Sequence, residues 1–519
     1  MTLTPKHRRK QCRKACSFLR YNNVLRRFTD MRTPHYFSAR RHLACVVCGL
    51  SILSTLFTTP APVAADEPAP AERSIVGIWQ GALKASGLEL RLVFKISKDD
   101  AGQYKATLDS PDQGAKGIPI DAATREGNTV KLESKAIRGT YEGQLSENGG
   151  EIKGTWKQLG PALALNLKRL EKEPDYTRPQ EPKKPYPYIA EEVAYENKSA
   201  GVKLAGTLTL AKSDRPAPAV LLITGSGAQD RDESLLGHKP FLVLADYLTR
   251  NGITVLRVDD RGVGGSTGNP VTSTTDDLTG DVLAGVAYLK SRKEVDSRHI
   301  GLVGHSEGGI IAPLAATRSE DIAFIVLLAG TGVNGEAIAC HQGKLIAQAQ
   351  GASAVTAALS RVAQERLFQI VKQEPDLAKA EKELREAMTL AASLTPSPPE
   401  AKAAIKAQID AQIKAILSPW FRFFLTYDPA PALRKVHCPV LAINGEKDLQ
   451  VDPKQNLPPI EAALKDSGNS DVTLKELPGL NHLFQHCKTG SPVEYGSIEE
   501  TIAPEVLTMI AEWINARAK

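Results

Sequence analysis

The stretch Ile300-Gly-Leu-Val-Gly-His-Ser-Glu-Gly-Gly-Ile-Ile-Ala-Pro-Leu-Ala-Ala-Thr317 decides how this chain is read. Its first five residues form a short apolar run of the kind a buried strand makes, and Gly309–Thr317 carries a helical pattern. Between them lies Gly304-His305-Ser306-Glu307-Gly308, a Gly-x-Ser-x-Gly. A serine on a sharp strand-to-helix turn stands exposed at the C-terminal edge of a sheet. Its neighbours must be small because strand and helix approach closely there. The pentapeptide alone is weak, since a glycine-rich turn that merely starts a helix looks the same. The strand before it and the helix after it make Ser306 the candidate nucleophile.

The surrounding pattern agrees. Ala219–Thr224, Ile253–Asp259, Ile300–Gly304, Phe324–Ala329 and Val440–Asn444 are continuous apolar runs, with helical stretches such as Pro240–Arg250 and Asp276–Arg292 between them. Strands buried on both faces read this way, as in a parallel α/β sheet. Two alternating strands, Val193–Asn197 and Lys203–Leu210, precede it. Residues 331–430 break the rhythm. They hold no strand candidate, are rich in Ala, Gln, Lys and Glu, and place Leu359, Ala363, Leu367 and Ile370 at helical spacing. This predicts a helical insertion in two halves, separated at Leu394-Thr-Pro-Ser-Pro-Pro399.

Residues 74–170 read differently. Leu88–Ile96 alternates, and Tyr104–Leu108, Thr129–Leu132, Thr140–Leu145, Glu151–Trp156 and Ala162–Leu167 are further short strand candidates punctuated by Gly, Asn and Asp. That predicts a small all-β domain, a meander or barrel, with Trp79 and Trp156 as core aromatics rather than a stacking platform. Residues 171–188 contain five prolines and read as a linker. Residues 189–519 then form the α/β domain.

The N-terminal region reads as a leader. The chain has 65 Lys+Arg and 59 Asp+Glu, a net charge of +6, but residues 1–42 hold 12 of the bases and one acid, Asp30. The remainder carries 53 bases and 58 acids, so the basic surplus is not where a nucleic-acid-binding body would keep it. Nucleic acid is therefore set aside as a partner. After Arg40-Arg41, the uncharged run Leu43–Phe57 is short for a membrane span, and Val63-Ala64-Ala65 supplies small residues. Residues 1–65 are expected to be a secretory signal cleaved after Ala65, with Met31 as a possible start, and 66–73 a short linker. Export to the periplasm or beyond follows, with no stable membrane insertion once the signal is removed; the competing expectation is an uncleaved anchor. Cys12, Cys16, Cys45 and Cys48 fall in the leader, leaving Cys340, Cys438 and Cys487, among which one disulfide is possible. Neither a metal site nor a cofactor is expected.

A serine nucleophile needs a base, usually a histidine held by a carboxylate, and here the chain order is Ser, acid, His. Asp448 follows the strand Val440–Asn444 and competes with Glu446 and Asp452; Asp452 precedes Pro453 and reads as a helix cap. His482 follows the strand Val472–Glu476 and the Pro478-Gly479 turn, with His486 as its rival. The oxyanion donors are expected from the backbone N–H of Glu307 and from the loop after Thr224, at Ser226 first and Gly227 second. Asp230-Arg231-Asp232-Glu233 in that loop reads as a structural salt-bridge cluster. Asp259-Asp-Arg-Gly-Val-Gly-Gly-Ser266 lacks the third glycine of a dinucleotide fingerprint, no P-loop lysine is present, and the segment reads as a turn bordering the active-site face.

Gly225-Ser-Gly-Ala-Gln-Asp-Arg-Asp-Glu233, Asp259-Asp-Arg-Gly262, Gly304-His-Ser-Glu-Gly-Gly309, Ser418-Pro-Trp-Phe-Arg-Phe-Phe-Leu-Thr-Tyr-Asp428, Asn444-Gly-Glu-Lys-Asp448 and Leu480-Asn-His-Leu-Phe484 together resemble bacterial α/β-hydrolase esterases of the EstD type. The resemblance covers roughly residues 190–515. It implies an α/β-hydrolase fold with a helical lid at 331–430, preceded by a small β domain that some members carry. It also implies a serine carboxylesterase acting on small short-acyl esters, with the triad on Ser306, Asp448 and His482. Related sequences are often labelled serine aminopeptidases, so peptide hydrolysis is the alternative activity; a non-catalytic envelope binding protein is a second alternative, against which the intact Ser–Asp–His order argues. Trp420, Phe421, Phe423, Phe424 and Tyr427 are the lid's aromatic set. Trp420 and Phe424 are the candidates to line the pocket, while packing of the lid onto the core is the competing fate.

Overall fold

A computed structural model describes residues 74–518 apart from 86–87, 114, 159–161, 175–177 and 394–401. The leader, its cysteines and the predicted break at 394–399 lie outside the described residues.

The first region is a nine-stranded antiparallel sheet: β1 (Gly77–Ala85), β2 (Leu88–Lys98), β3 (Tyr104–Ser110), β4 (Ala115–Ile120), β5 (Ala122–Glu126), β6 (Thr129–Ser134), β7 (Gly139–Leu145), β8 (Glu151–Gln158) and β9 (Leu163–Leu170), in the order β4-β3-β2-β1-β9-β8-β7-β6-β5. The edge strands β4 and β5 are joined by Asp121 alone and lie against β6 and β3, so the sheet curls round on itself. Alternation explains the barrel: on β7, Tyr141 and Leu145 point inward while Glu142 and Gln144 face water. Trp79 and Trp156 are core residues, as expected. Trp79 donates its Nε1–H to Ile75 O at 2.8 Å, and the Trp156 ring occupies the space where a Cβ on Gly139 would stand, 2.2 Å away. Three strands escape the sequence reading: β1, β4 and β5. In β4, Gly117 and Pro119 obscure the alternation, and Pro119 is tolerated because β4 is an edge strand.

The second region is an eight-stranded sheet of β10 (Ile189–Asn197), β11 (Val202–Leu210), β12 (Ala217–Ile223), β13 (Thr254–Val258), β14 (Val295–His305), β15 (Phe324–Leu328), β16 (Val440–Gly445) and β17 (Val472–Leu477), in the order β10-β11-β13-β12-β14-β15-β16-β17. β12 through β17 pair in parallel, β11 pairs antiparallel with β13, and β10 pairs antiparallel with β11 at the sheet's edge. Apolar side chains leave both faces: Leu221, Leu302 and Ile325 on one, Val220, Val303 and Val326 on the other, under separate layers of helices. This is the α/β-hydrolase fold, with all parallel strands ending at the edge where the loops carrying Gly225, Ser306, Asp448 and His482 emerge.

Helices Gly335–Ala349, Ala354–Gln373, Leu377–Ser393, Lys402–Ile416 and Pro419–Thr426 fill the interval between β15 and β16. They bury a core of their own, which includes Cys340, Phe368, Val371, Leu384, Ile413 and Leu425. Of the four residues at helical spacing, Ile370 is buried and Leu367 packs partly against this core, while Leu359 and Ala363 are exposed; the helix Ala354–Gln373 also turns Ala357, Phe368 and Val371 inward. Among the described residues no helix is long and apolar enough to cross a membrane. Cys340, Cys438 and Cys487 are free thiols, so no disulfide joins them.

The proline-rich segment is not a free tether. The buried Arg178 donates to the carbonyls of Leu236, Gly496 and Ile498, and Gln180 bonds Ile502 O while accepting from Thr501 N and Ile502 N. The turn Pro111–Gln113 of the β region presses on Gly496, where a Cβ would lie 2.1 Å from Asp112 O. The two sheets therefore belong to one compact unit.

Candidate active site

Ser306 sits between β14 and the helix Gly308–Ala316 with φ at 52°, in the left-handed region that a non-glycine residue enters at a cost. Its surroundings hold it there. Ser306 N donates to Leu328 O at 2.8 Å, and Gly309 N to Ser306 O at 2.9 Å. The glycines are required by contact. A Cβ on Gly304 would lie 2.0 Å from Gly308 O, one on Gly308 2.3 Å from Ile223 O, and one on Gly309 2.5 Å from Gly330 Cα.

The loop after β17 brings in His482, and the turn after β16 brings in Asp448; both are buried. His482 Nδ1 and Asp448 Oδ2 are 2.7 Å apart. The other carboxylate oxygen, Asp448 Oδ1, accepts from Gln450 N and Val451 N, each at 2.8 Å. With Nδ1 committed to the acid, Nε2 is the ring nitrogen left for a reacting proton. The loop is fixed by the buried Asn481, whose Oδ1 accepts from Leu483 N and Gln485 N. The rivals have other employment. Glu446 accepts from Gly479 N, and Asp452 caps the helix Pro453–Asp466 and pairs with His341 at 2.7 Å. His486 is exposed, beside Glu500 and Glu505.

Ser306, His482, Gly225, Ser226 and Glu307 line one cleft of about 400 Å³. Neither Glu307 N–H nor Ser226 N–H donates to another group among the described residues, which leaves both open to an acceptor in the cleft. Gly227 makes the next turn, with φ at 102° and open space where a side chain would stand. The cluster Asp230–Glu233 is structural, as its charge pattern suggests. Arg231 pairs with Asp259 at 2.8 Å and with Glu192, and Asp232 pairs with Arg257. The segment after β13 holds the same loop: Asp260 accepts from Gln229 N and from the Thr224 hydroxyl, each at 2.9 Å. Burial pushes the Asp260 carboxyl up to about 7, with those two bonds partly opposing it.

The insertion closes the other side of the cleft through Trp420, Phe421 and Phe424. Trp420 and Phe424 stack at 5.4 Å and 5°. The aromatic set divides its labour, since Phe421 also packs in the insertion's core while Phe424 and Tyr427 pack on Ile310, Leu314 and Ala432. The Glu307 side chain joins the two halves: its Oε1 accepts from Trp420 Nε1 and from Thr275 Oγ1, each at 2.7 Å. Burial raises the pKa of this carboxyl, against the bonds from Thr275, Trp420 and Ser226.

Three roles escape the sequence: the Glu307 side chain, Asp260, and the pair Glu233–His305. Each lies inside a motif whose spacing marks it as notable, but only the packing shows what it touches. Among the described residues no group of three or more His, Cys, Asp or Glu side chains is placed to hold a metal.

The profile of the family described as serine aminopeptidase, S33, matches residues 239–486. The chain is 28% identical over 430 residues to Esterase EstD of Thermotoga maritima, spanning 80% of this chain and 89% of that protein. That share exceeds residues 189–519, so the likeness reaches into the β region ahead of them. A shorter match of 138 residues, 33% identical, is to Esterase FrsA of Vibrio cholerae, over 26% of this chain and 30% of that protein. Among solved structures, the Pyrococcus furiosus esterase PF2001 aligns at TM-score 0.40 and 17% identity, over 64% of this chain and 92% of its own.

Proposed function

Proceeding from an α/β-hydrolase chain related to the EstD-type esterases, we propose that this protein is a serine carboxylesterase that cleaves short-chain acyl esters and works outside the cytoplasm. The observation that carries the reading is the 2.7 Å bond between His482 Nδ1 and Asp448 Oδ2, made while His482 and the strained Ser306 line the same cleft. Ser306 Oγ attacks the ester carbonyl as His482 Nε2 takes its proton. Asp448 keeps the imidazole oriented and stabilises the imidazolium that forms. The oxyanion is received by the N–H groups of Glu307 and Ser226. His482 then returns the proton to the leaving alcohol, and water repeats the sequence on the acyl-enzyme.

The cleft's volume supports a small acyl group, since it lies near the lower end of the ~300–1,000 Å³ range of ligand sites. Its apolar wall of stacked Trp420 and Phe424 comes from the insertion, which acts as the lid. Export rests on the basic flank, the apolar run 43–57 and the small residues 63–65.

The test is turnover of acetate and butyrate esters by wild type and by Ser306→Ala, with covalent labelling by a fluorophosphonate and aminoacyl anilides as the amide control. Label on Ser306 and ester turnover lost in the variant are expected. Near-normal ester turnover by folded Ser306→Ala would overturn the mechanism, and anilides cleaved in preference to esters would move the activity to amide hydrolysis.

A further inference from the structure

Directly beneath the nucleophile lies a second histidine–carboxylate pair that the proposed chemistry does not use. His305, the residue before Ser306, is buried, and both of its ring nitrogens are engaged. Nδ1 is 2.9 Å from Glu233 Oε1, and Nε2 is 3.0 Å from the backbone carbonyl of His482. The same Glu233 oxygen accepts from Gly225 N at 2.7 Å. One carboxylate and one imidazole thus tie together three segments far apart in sequence: the start of the oxyanion loop, the nucleophile turn and the catalytic-histidine loop. Glu233 is itself held with φ at 52°.

The two partners of the ring are both acceptors. A carboxylate oxygen and a peptide carbonyl have no proton to give. A neutral imidazole has a single N–H, so it would leave one nitrogen lone pair facing an oxygen lone pair in a dry site. With Glu233 ionised, both contacts are satisfied only when the ring carries both protons. We propose that Glu233 and His305 are positioning residues for the esterase reaction, and that His305 stands as a fixed imidazolium which holds the His482 backbone and the oxyanion loop in register with Ser306. This rests on the function proposed above.

The electrostatics point the same way. Burial alone would lower the pKa of this ring, yet the facing Glu233 carboxylate, the bond to His482 O and the Asp448 charge more than offset it, so the pKa is raised. The titratable groups round the ring are Glu233 from the loop after β12, and His482 and Asp448 from the loops after β17 and β16. Asp260, from the loop after β13, and Glu307 act on each other, and Glu233 also acts on Asp260. The rings of His305 and His482 are 4.8 Å apart between centroids.

The experiment uses the full chain labelled with ¹⁵N-histidine. Ring ¹⁵N–¹H spectra are recorded from pH 6 to 8, with His305→Asn assigning the signal. His305 is expected to show two protonated nitrogens at pH 7.5, about one unit above the ordinary histidine pKa of ~6.5, and to lose one proton in Glu233→Gln. In parallel, kcat and KM for a butyrate ester are followed against pH. Both variants are expected to lose roughly tenfold or more in kcat with a smaller change in KM, as misplacement of the reacting groups does. A single ring proton on wild-type His305 at pH 7.5 overturns the proposal, and so does a Glu233→Gln protein with wild-type kcat. If neither variant folds, the wild-type spectrum still decides it, with the His305 signal assigned by substituting the other histidines in turn. The spectrum can also be taken on Ser306→Ala, so failure of the esterase reading and failure of the positioning pair are told apart.

Discussion

Replacing Asp448 by Asn tests the catalytic geometry with little disturbance of shape. Asp448 accepts three bonds: Gln450 N and Val451 N on Oδ1, and His482 Nδ1–H on Oδ2. An asparagine placed with its carbonyl oxygen at Oδ1 keeps both backbone donors satisfied, so no buried N–H is orphaned and the fold is retained. Its amide nitrogen then faces Nδ1, and two donors cannot share that contact. His482 must carry its proton on Nε2 instead, which turns the base's lone pair away from the nucleophile. The same exchange in Ser–His–Asp enzymes costs about 10⁴-fold in kcat, or ~5 kcal/mol of barrier. The assay is kcat for a butyrate ester by wild type and variant, with circular dichroism and thermal melting showing that both are folded. A folded Asp448→Asn protein within tenfold of wild type would refute the assignment. Asp448→Ala makes the contrast, since it also leaves two buried N–H groups unpaired, at about 1–3 kcal/mol each, and so loses stability as well as activity.

Trp420→Ala removes one half of the stacked pair that walls the cleft, together with the donor to Glu307; kcat/KM across a series of acyl lengths is expected to shift toward longer chains, and an unchanged preference would place specificity elsewhere. Arg178→Ala leaves several buried carbonyls without their donor, so urea denaturation should show a loss on the order of 3 kcal/mol, and a truncation starting near residue 186 should be destabilised for the same reason. Asp260 is held protonated up to about pH 7 in the fold but only to about 4 in the unfolded chain, so the folded state binds the extra proton between these values. Stability should fall as pH rises across that window and level off above it, and Asp260→Asn should flatten the slope; equal slopes in both proteins would count against it.

What could be read in advance follows from how each feature is encoded. The parallel strands stood out because burial on both faces demands uninterrupted apolar runs, and β12 and β15 are nothing else, while β16 adds only Asn444 and Gly445 at its end. β14 begins at Val295, five residues before the apolar run, because Asp296-Ser-Arg-His299 is strand without being core. The insertion was legible as helix but not in its orientation. Ala, Gln, Lys and Glu look alike on every face, so the spacing of Leu359, Ala363, Leu367 and Ile370 did not say that only its C-terminal half, with Phe368 and Val371, turns inward. The proline-rich segment misled in a different way. Its composition reports a stiff backbone, whereas its docking depends on two side chains between the prolines, Arg178 and Gln180.

The candidate site divides along the same line. Ser306, Asp448 and His482 were legible because each follows a strand end and the chain order of nucleophile, acid and base is distinctive. The groups that hold them were not, because their partners are backbone atoms, which every residue possesses and no sequence pattern advertises. Glu233 reaches Gly225 N, His305 reaches His482 O, and Asp260 reaches Gln229 N. A left-handed serine persists only where its surroundings over-determine it. Here that work falls to three glycines read as spacing and to Glu233, Asp260 and His305, none of which was legible in that role from the sequence. The residues proposed to perform the chemistry are therefore visible as a motif, while those that keep the motif strained become visible only when the chain is folded.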